Sequence, residues 1–170
     1  MNPPALYQLH CRWGTARDLP RILAIEAASF ADAWTEENFR AALRHRDCIM
    51  VVAERGDRVE GFAVYQLFPT HLELLNLAVC PAARRTGVGA ALIAKLLYKL
   101  KSHRREYLAA TVRESNLTAQ CFFRSCGLRA RRVLANHYDD GEAGYRMLHV
   151  PSVSEWDAFG GEPVNRIASY

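Results

Sequence analysis

Arg84-Arg85-Thr86-Gly87-Val88-Gly89-Ala90-Ala91 is the stretch on which the reading of this chain turns. Before it, His71 to Val79 is a mostly apolar run of strand character. After it, from Gly87 to Leu100, the apolar residues Val88, Ala91, Leu92, Leu96 and Leu100 recur at helical spacing, with Lys95, Lys99 and Lys101 elsewhere on the wheel. The stretch therefore joins a strand to a helix. Its glycines permit backbone angles that a side chain would obstruct, and successive amides at a helix start carry positive partial charge. Arg84 to Ala90 can thus cradle a pyrophosphate, with Arg84 and Arg85 adding ionic attraction. Two glycines after a strand also make a plain tight turn, so the pattern decides nothing alone.

Working outward, Leu6 to Trp13 predicts a strand. Thr15 and Asp18 have the spacing of a capping box that opens a helix through Leu19, Ile22, Leu23 and Ile25. A second helix is expected from Thr35, with Phe39, Ala42 and Leu43 on one face and Trp34 anchoring the loop before it. Cys48 to Ala53 and Val59 to Phe68 predict a hairpin about the Arg55 to Arg58 turn, followed by the His71 to Val79 strand. Beyond the Gly87 helix come a buried strand from Glu106 to Val112 and a helix capped at Ser115-Asn116, ending near Cys126 with Gly127 as its left-handed cap. Strands at Leu128 to Tyr138 and Ala143 to Val150 flank an Asp139-Asp140-Gly141 turn. The order β-α-α-β-β-β-α-β-α-β-β implies an α/β (α+β) fold with a mixed seven-stranded sheet and about four helices. A dinucleotide-binding fold would place the glycine turn after its first strand; here it follows the fourth.

With 170 residues, half of them apolar, one domain over residues 1–150 is expected, and Pro151 to Tyr170 reads as a loosely ordered extension. The formal charge of +4 is modest. Its clusters at Arg104-Arg105 and at Arg129, Arg131 and Arg132 read as solvated faces. No basic stripe interleaved with aromatics suggests a nucleic-acid partner. Cys11, Cys48, Cys80, Cys121 and Cys126 are odd in number and show no C-x-x-C spacing, so neither a disulfide framework nor a metal site is expected. The cysteine usage makes the cytoplasm the expected compartment, and neither export nor a membrane span is indicated, since no apolar run reaches membrane-spanning length.

Arg84-Arg85-Thr86-Gly87-Val88-Gly89 resembles the R/Q-x-x-G-x-G/A signature of the GCN5-related N-acetyltransferase superfamily. Leu75-Asn76-Leu77-Ala78-Val79, Val112-Arg113-Glu114-Ser115-Asn116 and Phe123-Arg124-Ser125-Cys126-Gly127-Leu128 resemble its ribosomal-protein-alanine branch. Phe30-Ala31-Asp32-Ala33-Trp34-Thr35-Glu36 is similar to that branch's substrate-side loop. His137-Tyr138-Asp139-Asp140-Gly141-Glu142 is similar to a hairpin of protein N-terminal acetyltransferases. The resemblance runs from Gln8 to Val150 and implies a mostly antiparallel sheet whose fourth and fifth strands splay about the pantetheine arm of acetyl-CoA. It also implies backbone bonds to that arm from Leu77, Ala78 and Val79, and cofactor contacts at Asn116 and Phe123; Asn116 has the competing role of helix cap.

Acetyl transfer to an amine needs a neutral nitrogen, a stabilised oxyanion and a proton source for the thiolate. By resemblance the Val79 amide is the oxyanion donor. The branch's glutamate base is replaced here by Thr111 and its tyrosine acid by Phe123. Glu73 lies where histone-type relatives carry their base, and is the expected base here; the alternative is an ordinary strand glutamate. Tyr138 is the candidate acid, and Trp34, His137 and Tyr138 are the candidate acceptor contacts. The resemblance implies a protein N-terminal amine as acceptor. A small amine, a lysine side chain, or a non-catalytic acyl-CoA-binding role stay open, as does the choice of monomer or homodimer and the role of Trp156 and Phe159 in the tail.

Overall fold

The computed structural model describes residues 8–157. Strands β1 (Leu9–Trp13), β2 (Cys48–Arg55), β3 (Arg58–Leu67), β4 (His71–Val79), β5 (Tyr107–Arg113), β6 (Arg129–Leu134) and β7 (Gly144–His149) form one sheet in the order β1-β2-β3-β4-β5-β7-β6. The helices are α1 (Leu19–Ala27), α2 (Glu36–Arg44), α3 (Val88–Ser102), α4 (Leu117–Ser125) and a short α5 (Val153–Asp157). The expected α/β class and element order hold. Contacts divide the chain into two compact units, residues 8–68 with Glu73–Lys95, and Pro69–Leu72 with residues 96–157.

In the first unit the expected opening strand is found as Leu9–Trp13; Leu6 and Tyr7 lie outside the described residues. The Asp18 carboxylate accepts from the Thr15 amide at 2.8 Å and from the Thr15 hydroxyl at 3.0 Å, closing a 3-10 turn that leads into α1. Asp18 also receives two bonds from Arg12 of β1, at 2.8 and 2.9 Å, while Arg12 Nε donates to Glu54 of β2 at 2.8 Å. Helix α1 buries Leu19, Ile22 and Ile25. The helix expected from Thr35 is α2, and Thr35 caps it, its hydroxyl accepting from the Asn38 amide at 3.2 Å. Phe39 of α2 meets Trp34 edge-on at 5.2 Å and Phe62 of β3 at 5.6 Å between ring centroids. On the opposite face of β3, Gly61 lies so close to α3 that an added Cβ would meet Val88 Cγ1 at 2.8 Å and the Ala78 carbonyl at 3.0 Å. Successive strand residues point to opposite faces, so one alternation, Gly61 then Phe62, seats helices on both sides.

In the second unit β5 pairs with β7 and β7 with β6, all antiparallel. Leu108, Ala109, Ala110, Phe123, Leu128 and Met147 form its core with Leu96 and Leu100 from the later turns of α3. Gly127 takes φ +90, the left-handed stop that was expected. Two expectations need correction. Strand β6 ends at Leu134 rather than Tyr138, because the chain turns at Asn136, φ +50, and the His137 and Tyr138 amides both donate to the Glu142 carbonyl, at 3.0 and 3.1 Å. The extension is not wholly loose, since α5 is capped at Ser152, and its Glu155 pairs with His149 at 3.6 Å and Lys101 at 3.8 Å. Residues 158–170, with Phe159, and the Trp156 side chain lie outside the described part of the chain.

Candidate active site

The bend before α3 is built by two positive backbone angles, φ +65 at Arg85 and φ +90 at Gly87. An added Cβ at Gly87 would find no atom within 4 Å, so glycine is there for the angle alone and the bend faces open space. Thr86 Oγ1 donates to the Ala83 carbonyl at 2.7 Å and braces the turn. The first bond closing α3 runs from the Ala91 amide to the Gly87 carbonyl at 2.9 Å. The amides of Val88, Gly89 and Ala90 precede it and have no acceptor within the helix. Val88 is buried, so its main chain rather than its side chain is what it offers. The exposed bend thus presents donors and the positive end of a 15-residue helix to solvent.

Arg84 does something the sequence did not suggest. Its Nε donates to the Val79 carbonyl at 3.2 Å and its Nη2 to Ser29 Oγ at 3.2 Å. The guanidinium therefore ties the bend to the end of β4 and to the segment after α1. Along β4, Leu72, Leu74, Asn76 and Ala78 are buried, alternating with the more open Glu73, Leu75, Leu77 and Val79. Asn76 is held from the α1 side: its Nδ2 donates to Glu26 Oε1 at 3.1 Å, and the same oxygen accepts the Trp34 amide at 2.9 Å. Glu26 is only 1% exposed, and burial pushes its pKa up against the opposing pull of those two bonds.

In the second unit a network fixes the loop after β6. Arg113 Nη1 donates to Asp140 Oδ2 and Glu142 Oε2, both at 2.7 Å, and the guanidinium lies 4.0 Å from the centre of the Tyr138 ring. Glu142 Oε1 accepts the Ser115 amide at 2.7 Å. Bonds from Ser115 and Arg113 hold the Glu142 carboxyl down at about 2. Burial raises the Tyr138 hydroxyl above its usual value, Arg113 opposes, and Glu142 and Asp140 add to the rise, so Tyr138 keeps its proton at neutral pH. His137 is exposed and meets Tyr138 edge-on at 4.9 Å. Asn116 Oδ1 accepts the Ala119 amide at 3.0 Å, the cap role weighed from sequence. Phe123 is buried against Phe122, and Thr111 Oγ1 accepts from Arg146 at 3.3 Å.

The predicted residues thus fall into two sets. Trp34, Glu73, Leu77, Ala78, Val79 and Arg84 to Ala90 belong to the first unit; Asn116, Phe123, His137 and Tyr138 belong to the second. Sequence reasoning missed Glu26, and it missed Arg113, whose partners lie 27 and 29 residues away. The signal for Glu26 was present: it sits one position after the core residue Ile25, on the buried stripe. Among the described residues no His, Cys, Asp or Glu cluster is arranged to hold a metal ion, and no helix is long and apolar enough to cross a membrane.

Residues 18–128 match the acetyltransferase (GNAT) family. The [ribosomal protein bS18]-alanine N-acetyltransferase of Escherichia coli K12 is 30% identical over 136 residues, covering 79% of this chain and 91% of that protein. The N-alpha-acetyltransferase of Sulfurisphaera tokodaii is 25% identical over 143 residues, covering 76% of this chain and 86% of its own. The crystal structure of the ribosomal-protein-S18-alanine N-acetyltransferase from Escherichia coli superposes with a TM-score of 0.77 at 26% identity, covering 85% of this chain and 95% of that one. A glycine bend in the family's signature position, a fold shared over most of both chains with the Escherichia coli enzyme and a family match over residues 18–128 lead to one conclusion: the chain belongs to the GNAT family of acetyltransferases and is an N-acetyltransferase.

Proposed function

We propose that this chain transfers the acetyl group of acetyl-CoA to the N-terminal α-amine of a protein, with an N-terminal alanine on a ribosomal protein as the favoured acceptor. The observation that carries the acetyl-CoA part is the bend at Arg85 and Gly87, whose open space and unpaired amides fit a pyrophosphate. A solved GNAT acetyltransferase from Elizabethkingia anophelis, whose fold matches with a TM-score of 0.70, holds acetyl-CoA. The acceptor part is supported by the bS18-alanine enzymes, which cover most of both chains.

Acetyl-CoA, when bound, supplies an activated acyl group. Arg85 to Ala90 hold its pyrophosphate through main-chain donors, and Leu77, Ala78 and Val79 offer strand backbone to its arm. The Val79 amide donates to the acyl oxygen as negative charge builds there. Glu73, half-buried on β4, takes the proton from the attacking ammonium, directly or through water. Tyr138, kept protonated, is the acid for the departing thiolate, the task for which Phe123 has no hydroxyl. Trp34 and His137 are the proposed contacts of the acceptor. The catalytic domain occupies residues 1–150 and works in the cytoplasm as a monomer or homodimer.

The test combines calorimetry with coenzyme A and a thiol-release assay over alanine-initiated peptides, internal-lysine peptides, polyamines and free amino acids. Turnover on alanine-initiated peptides with coenzyme A bound supports the proposal. No heat with coenzyme A overturns it, turnover confined to lysines or small amines overturns the acceptor, and tight binding without turnover identifies an acyl-CoA-binding protein.

A further inference from the structure

The loop between α1 and α2, Ala28 to Thr35, is fastened at both ends to β4. At its start Ser29 Oγ donates to the Ile25 carbonyl at 2.7 Å and accepts from Arg84 Nη2, while Arg84 Nε holds the Val79 carbonyl. At its far end the Trp34 amide donates to Glu26 Oε1, which also accepts from Asn76 of β4. Between these points Phe30, Ala31 and Asp32 are exposed. The Trp34 ring is pinned separately by its edge contact with Phe39.

Glu26 is an unusual choice for such a joint. A carboxylate at 1% exposure is costly to bury. One oxygen carries both bonds, while the other, Oε2, is buried without a partner. An aliphatic side chain would fill the same space at lower cost but would leave the Trp34 amide and the Asn76 carboxamide unsatisfied. What the position needs is a single acceptor oxygen reaching strand and loop together.

We propose that Glu26 is a positioning residue for the acceptor: through one oxygen it registers the Trp34 end of the exposed Phe30 to Trp34 loop on β4, the strand that carries Val79. This rests on the acetyl-transfer reading above for the role of Val79, though the clamp itself does not. The clamp works through the accepting oxygen and not through a negative charge, since the second oxygen meets no cation. A carboxamide can replace it.

The experiment compares Glu26→Gln, Glu26→Ala and the length-matched Glu26→Met by two readouts. Hydrogen exchange of the Trp34 amide, followed by NMR in the acetyl-CoA-saturated protein, reads the clamp without any acceptor. Steady-state kinetics on the preferred peptide then separate acceptor KM from kcat and from the KM of acetyl-CoA. Glu26→Gln keeps Trp34 protection and acceptor KM within about twofold of wild type. Loss of the acceptor oxygen in Glu26→Ala and Glu26→Met speeds Trp34 exchange and raises acceptor KM about tenfold each, with kcat and the KM of acetyl-CoA within about twofold. The methionine variant keeps the core filled should the alanine variant fail to fold. Unchanged Trp34 exchange in Glu26→Met overturns the proposal, as does loss in Glu26→Gln equal to that in Glu26→Met, or a fall in kcat with no rise in acceptor KM. If the wild-type protein acetylates no peptide, the functional reading fails, and Trp34 exchange still decides the clamp.

Discussion

Replacing Gly87 by alanine isolates the backbone contribution to the coenzyme A site. At φ +90 an L-residue is strained, and an added Cβ here touches nothing within 4 Å, so sterics with neighbours add no cost. The penalty is that of a left-handed backbone for a side-chain-bearing residue, about 1–2 kcal/mol. The empty bend can shed part of that strain by rotating the Thr86–Gly87 peptide, but a bend that aims its amides at a pyrophosphate cannot. Thermal unfolding with saturating coenzyme A should therefore show a drop of about 2–8 °C, using about 2–4 °C per kcal/mol for a chain of this size. Affinity by calorimetry should weaken by up to about fivefold to thirtyfold. Gly56 is the control: it holds φ +61 in the β2–β3 turn, so Gly56→Ala meets a comparable strain away from the site and should lower stability with coenzyme A affinity unchanged. Wild-type affinity and wild-type stability together in Gly87→Ala would refute the reasoning, since the positive angle would then cost nothing and the bend would not be what binds.

Four further outcomes are expected. Asp18 has its pKa lowered from 3.8 to about 2, first by its bonds from Arg12. Because the folded value is the lower one, its stabilisation is complete above about pH 4 and is lost as pH falls through about 2; urea titrations at pH 5 and pH 2 should differ by about 2 kcal/mol more in wild type than in Asp18→Asn. Gly144→Ala would push a methyl to 2.8 Å from Thr111 Cγ2, lowering stability by about 1–3 kcal/mol, and adding Thr111→Ser, which removes that methyl, should recover part of it in chemical denaturation. Glu73→Gln should lower kcat at saturating acceptor by about a hundredfold or more and flatten its pH profile; an unchanged rate removes Glu73 as the base. Tyr138→Phe should lower kcat with acceptor KM little changed if the hydroxyl delivers the proton, whereas a rise in KM alone would make the ring a binding surface only.

A polar network lies around β4, buried at Glu26 and Asn76 and open to solvent at Arg84. Thr111 and Phe123 replace the acidic and phenolic groups that the resemblance leads one to expect, and both are absorbed into structure: Thr111 accepts a bond from Arg146, and Phe123 joins the core. Glu26, Asn76, Trp34, Ser29, Arg84 and Val79 instead form one chain of hydrogen bonds and strand backbone, each member reaching the next at 3.2 Å or less where a bond is made. Truncating Glu26 leaves the buried Asn76 carboxamide without this partner, a larger cost than removing an exposed bond such as Arg84 to Ser29.

From the sequence alone helices α1 to α4, the strands and their order could be read, because each rests on local physics: the period of α3, the start of α2 at Thr35, the cap at Asn116 and the two-residue Gly56-Asp57 turn act within a few residues. The glycine bend was legible for the same reason, since a left-handed angle before a helix needs little more than its own residues. Tertiary structure alone decided which polar side chains meet. Arg113 meets Glu142 across 29 positions, Asn76 meets Glu26 across 50, and Arg84 meets Ser29 across 55. No periodicity encodes such pairs, because hydrogen bonds of this range depend on where the sheet brings two backbones together. The early end of β6 was hidden likewise, because the Glu142 carbonyl that captures the His137 and Tyr138 amides comes into reach only once the loop has closed.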